Sequence, residues 1–128
     1  VTLGRIALAG ALALCASAPA RSGGDPARGE QIYVRCLACH ALAYDRVGPR
    51  HCGLFDRPAG SVTGFEYSPA MRDSKIIWNE QTLERFLAGP LEVVPGTTMT
   101  YDGVPDAQDR RDLVAYLKRA DQSPECPR

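Results

Sequence analysis

Five consecutive residues carry the chemistry of this chain: Cys36-Leu37-Ala38-Cys39-His40. Two cysteines separated by two residues, with a histidine directly after the second, form the attachment signature of a c-type haem. The thiols would bond covalently to the porphyrin, and the imidazole would ligate the iron. A zinc reading competes with this one. Cys36, Cys39, His51 and Cys52 make a possible four-ligand set, because Cys-x-x-Cys is an ordinary zinc half-site. The adjacency of His51 and Cys52 is a poor geometry for tetrahedral chelation, and zinc leaves the Pro95-Gly96-Thr97-Thr98-Met99 segment without a role.

The elements that must position these residues read as all-α. Asp25-Pro26 combines a side chain that accepts free helix amides with a proline suited to the first turn. Gly29, Ile32, Tyr33 and Cys36 then share one helical face, so the motif is expected at the end of a helix whose buried stripe leads into it. From Ala41 to Gly64 the chain reads as a loop, long for a compact domain unless it wraps something. Ser68-Pro69 opens a short helix to Asp73. A third helix starts near Asn79 or Glu80, turns Leu83, Phe86 and Leu87 inward, and stops at Gly89-Pro90. A second loop runs from Leu91 to Pro105. The last helix starts at Asp106 with Leu113, Tyr116, Leu117 and Ala120 on one stripe. Alternating strand patterns and internal repeats are absent from the sequence.

From residue 21 onward the chain resembles the class I cytochromes c, in particular their mitochondrial and soluble bacterial branch. Gly29 and Tyr33 match the glycine–aromatic pair of the first helix, and Leu113 and Tyr116 match their partners on the last. Cys36, Cys39 and His40 match the haem attachment. Gly48-Pro49 matches the segment whose proline carbonyl holds the free N–H of the axial histidine. Gly53-Leu54-Phe55-Asp56-Arg57 is similar to the family's Gly-x-x-Gly-Arg. Tyr67 and Trp78 match its propionate donors, and Pro95-Gly96-Thr97-Thr98-Met99 matches its methionine loop. The resemblance implies three main helices, short helices and long loops around one haem c. It implies His40 and Met99 as the iron ligands, with Pro49, Arg57, Tyr67, Trp78 and Thr97 contacting cofactor or ligand. The chemistry is consistent: thioether ligation raises the potential, and anionic propionates need neutral and charged donors.

Four positions depart from the family pattern. His51 falls where a buried leucine is common and reads as a hydrogen-bonded structural residue, with a stray iron ligand as the lesser reading. Cys52 falls where histidine is common. With Cys36 and Cys39 matched to the haem, Cys52 and Cys126 are expected to form a disulfide if the chain is exported. Phe86 stands where mitochondrial relatives carry a tyrosine, and Thr98 where a lysine is often found.

Composition bounds the function. The 128 residues carry 15 Lys+Arg and 15 Asp+Glu, so nothing points to a nucleic-acid partner. Leu3 to Ala18 is small and apolar with Arg5 as its only charge, followed by small-x-small sites ending at Ala20. It reads as a secretory signal over residues 1–20, short for a membrane span, with an uncleaved anchor as the alternative. Cys15 follows Leu14 where a lipoprotein signal would place a small residue. Residues 21–128 then form one domain in the periplasm, without stable membrane insertion. The resemblance implies a monomeric single-electron shuttle rather than an enzyme. Its partners would be redox proteins such as a membrane cytochrome complex, an oxidase, a reductase or a photosynthetic reaction centre. Two rivals remain at this level: a haem peroxidase or gas-binding protein, which needs an open sixth position, and a zinc-stabilised interaction module.

Overall fold

Asp25 starts the first helix by accepting the free amides of Ala27 at 2.9 Å and Arg28 at 3.4 Å. The computed structural model describes residues 23–127; the expected signal over residues 1–20, with cleavage near Ala20, lies outside them. Helix α1 spans Pro26–Tyr33 and buries Gly29, Ile32 and Tyr33. It does not run to the motif as an α-helix. A tight 3-10 turn, Val34–Cys36, takes over, so Cys36 sits one turn beyond the α-helical ladder.

The remaining helices start where their caps place them. Ser68 caps α2, Pro69–Asp73, through the Met71 amide at 3.1 Å. Asn79 and Thr82 cap α3, Glu80–Ala88, reciprocally, at 2.9 and 2.8 Å. Asp106 caps α5, Ala107–Asp121, through the Asp109 amide at 2.8 Å. One element differs from expectation. The sequence predicts a loop from Leu91, yet Pro90–Val93 forms a helical turn, α4, closed by the Val94 amide on the Pro90 carbonyl at 2.9 Å. Pro90 ends α3 and also fits the first turn of the next helix, where no amide hydrogen is needed. The all-α expectation holds: among the described residues the extended structure amounts to an isolated bridge between Pro58 and Ile77.

The frame is the crossing of α1 on α5, with α3 packed against α5. The crossing is close because Gly29 faces the α5 backbone: a Cβ there would lie 1.9 Å from the Asp112 carbonyl oxygen. Asp112, 1% exposed, locks the entry to α1, accepting from the Asp25 amide at 2.7 Å, Arg28 at 3.2 Å and Gln108 at 2.8 Å. Ile32, Leu113 and Leu117 fill the seam. Each such side chain contributes about 1.5–3 kcal/mol when fully buried.

The long loops are tied down by backbone bonds. Gly48 donates to the Cys39 carbonyl at 2.8 Å and Cys52 to that of Leu42 at 2.8 Å, folding the segment after His40 back on itself. Asp56 donates to the Trp78 carbonyl at 2.8 Å, and Trp78 to that of Arg57 at 3.0 Å. A disulfide joins Cys52 to Cys126, with Cα atoms 5.2 Å apart, fastening this loop to the tail beyond α5.

Candidate functional site

The Val34–Cys36 turn and the loop that follows bring both cysteines and His40 together. Cys36 is half-buried, Cys39 is exposed, and neither is tied up in the disulfide. The His40 amide bonds the Cys36 carbonyl at 2.8 Å, closing the turn between them. His40 is buried and its Nδ1–H donates to the Pro49 carbonyl at 2.8 Å. That bond assigns the proton to Nδ1 and leaves Nε2 with a free lone pair, the form that ligates a metal. Burial lowers the His40 imidazole, partly offset by the Pro49 carbonyl, which further favours the neutral ligand form. Gly48 lies against the same ring: a Cβ on it would meet His40 Cε1 at 2.2 Å.

The other expected residues come from separate elements. Met99 is half-buried against the core, on the loop after α4. Thr97 is buried, and its hydroxyl accepts the Met99 amide at 3.2 Å, so it orients the loop from within. Trp78 is buried beside Phe86, ring centroids 5.1 Å apart. Tyr67 is half-buried; its hydroxyl accepts the Val62 amide at 3.4 Å, and burial raises its phenol. Arg57 plays a larger structural part than its sequence position conveys. It donates through Nη1 to the Cys52 carbonyl at 3.1 Å and through Nη2 to the Arg50 carbonyl at 3.0 Å, while its buried Nε has no partner.

His51 is hydrogen-bonded, as expected, to the Tyr33 hydroxyl at 3.0 Å through Nδ1. Its ring also stacks on His40, centroids 4.3 Å apart and planes inclined by 22°. Sequence spacing did not announce this contact; the histidine at a usual leucine position was its only signal. Burial, then His40 and Arg57, hold the His51 imidazole well below the ordinary histidine range. The zinc set fails here, because Cys52 is bonded to Cys126 and His51 faces His40 and Tyr33.

A family model described as Cytochrome c matches residues 26–121. The chain belongs to the cytochrome c family. Cytochrome c2 of Rhodomicrobium vannielii is 44% identical over 116 residues, covering 88% of this chain and 92% of that protein. Cytochrome c2 of Blastochloris viridis is 40% identical over 113 residues, covering 86% and 89%. The solved structure of cytochrome cH from Methylobacterium extorquens superposes with a TM-score of 0.73 at 37% identity, covering 75% of this chain and 99% of that one. As a cytochrome c this protein is an electron carrier, not an enzyme, and it holds one haem c covalently through Cys36 and Cys39. Its residues fit the group: two cysteines outside the disulfide precede a histidine with Nε2 unengaged, a glycine cradles that histidine, and the Arg57 Nε is a buried donor in need of an acceptor. Among the described residues no helix is long and apolar enough to cross a membrane.

Proposed function

We propose that this cytochrome c is an exported periplasmic shuttle, with His40 and Met99 as its two axial ligands. The haem supplies a one-electron couple between Fe(II) and Fe(III). The chain's own residues keep that couple rigid and closed to substrate. Pro49 holds the His40 tautomer. Thr97 sets the Met99 loop. Arg57, Tyr67 and Trp78 would serve the propionates, Arg57 with a buried Nε–H that its two backbone bonds leave unused. Residues 1–20 act as the signal, cleaved near Ala20, and residues 21–128 form the monomeric carrier. Its partners are redox proteins; those proposed are a membrane cytochrome complex, an oxidase, a reductase or a photosynthetic reaction centre, engaged through a small transient interface.

The observation that carries this reading is the His40 Nδ1–Pro49 bond, which leaves Nε2 as the ligating atom. The test is a reduced-minus-oxidised visible spectrum with a redox titration, followed by exposure of the reduced protein to carbon monoxide. A haem c spectrum with the far-red methionine–iron band and no carbon monoxide adduct at neutral pH is expected. Ready adduct formation would instead place the protein with gas-binding or peroxidatic haem proteins.

A further inference from the structure

We propose that His51 is a positioning residue for the axial histidine, its stacked ring fixing the plane in which the His40 imidazole faces the metal. The proposal rests on His40 being the ligand. Pro49 O acts on the His40 ring at its rim, taking Nδ1 at 2.8 Å. Gly48 lies over the ring at Cε1, where a Cβ would stand 2.2 Å from that atom and 2.6 Å from each nitrogen. Neither presents a flat surface to the ring. His51 does, at 4.3 Å between centroids and 22° between planes. A flat ring against a flat ring defines a plane in a way that a branched aliphatic side chain does not.

His51 is itself held at several points. Its amide bonds the Ala41 and Leu42 carbonyls, each at 3.1 Å, so its backbone is fastened to the residues directly after His40. The Leu54 amide bonds its carbonyl at 3.0 Å. Its Nδ1 is engaged by the Tyr33 hydroxyl, and the Tyr33 ring packs on Tyr116 at 5.0 Å. A continuous set of rings therefore runs from α5 through α1 to His51 and on to His40. The crossing of the two main helices sets the orientation of the metal-binding imidazole through side chains as well as through the backbone.

The haem-methyl hyperfine shifts of the oxidised holoprotein in proton NMR report the plane of the axial histidine directly. Replacing His51→Leu should re-order and respace those resonances, and His51→Phe, which restores a flat face, should bring them back toward the wild-type order. A His51→Leu spectrum with the wild-type order and spacing overturns the proposal. If that variant yields no holoprotein, Tyr33→Phe is read in its place, since it removes only the hydroxyl that holds His51; re-ordered resonances support the proposal and unchanged ones overturn it. The methionine methyl resonance, shifted far upfield when sulfur ligates iron, separates the two ideas. Its absence from the wild type defeats the Met99 assignment and leaves the His51 proposal, which rests on His40, to be decided by the haem-methyl pattern. Its presence beside unshifted haem methyls defeats the His51 role alone.

Discussion

A thioether is a weak base and keeps an iron position only while stronger ligands are out of reach. As the proposed ligand, Met99 is well protected in that respect. The chain has two lysines, Lys75 and Lys118, neither in the Pro95–Met99 loop, and Lys118 is paired with Glu80 across α5 and α3. Thr98 stands beside the proposed ligand in place of an amine. The far-red methionine–iron band should therefore survive titration to mildly alkaline pH. Its loss there, with spectroscopic signs of an amine ligand, would contradict the argument. Phe86 bears on the same atom from another direction: buried against Trp78, it offers no hydroxyl to the sulfur, leaving Met99 to packing and to the Thr97 contact. Single residues of this kind are legible in the sequence as candidates, because a metal-binding residue type or a missing amine is a property of type and spacing. The His51–His40 stack was not, because it depends on how residues 41–52 fold back across the histidine.

At the scale of elements, the α1–α5 crossing bears most of the load, and its tolerance is small. A Gly29→Ala change would set a methyl 1.9 Å from a backbone oxygen of α5 and 2.8 Å from Tyr116 Cβ, neither of which can swing aside. Separating the helices should cost about 3 kcal/mol, read as a lower denaturant midpoint in holoprotein with unchanged ligand bands. Helix α5 carries an acid-sensitive start. The Asp106 carboxyl lies below its ordinary value because it accepts the Asp109 amide. A carboxyl depressed by folding contributes stability that is present above its unfolded value and is lost as pH falls through the folded one. Below about pH 4 the wild type should thus lose thermal stability more steeply than Asp106→Asn, which keeps an acceptor at the cap but does not titrate. Four of the five α-helical starts could be read from caps and prolines at Asp25, Ser68, Asn79 and Asp106. The exceptions have local causes. Pro90 both stops α3 and begins α4, and the change to a 3-10 turn at Val34 is a change of hydrogen-bond register that apolar spacing does not record.

For the molecule as a whole, charge is balanced and much of it is engaged internally. Arg50 pairs with Asp45 at 3.1 Å, Arg46 donates to the Leu37 carbonyl, Arg28 binds Asp112, and Arg57 is turned inward to backbone carbonyls. Around the attachment turn the exposed side chains include Val34 at 63%, Leu37 at 43% and Val47 at 80%, with the loop carrying Val47 joined to the turn through Arg46 and Leu37. A redox partner meeting this face finds apolar contact and few free cations. Raising ionic strength should change the second-order electron-transfer rate by far less than the roughly 10- to 1,000-fold range of strongly steered encounters. Stopped-flow measurement against an acidic redox protein would check this, and a steep decline with salt would reveal a basic patch that these pairings do not suppress.

The bridge between Cys52 and Cys126 also constrains how the holoprotein is made. Four cysteines lie in residues 23–127, and fully oxidised they pair in three ways, each of which ties up Cys36 and Cys39. The productive form carries the Cys52–Cys126 bridge alone and leaves both thiols able to add across the porphyrin vinyls. That arrangement closes a span of 74 residues, whereas the competing Cys36–Cys39 link closes a far shorter ring at less entropic cost. In an oxidising compartment the unproductive link therefore has the head start. Maturation needs a reductant that opens the short ring yet spares the long one, or a folding order in which the tail reaches Cys52 while the neighbouring pair is shielded.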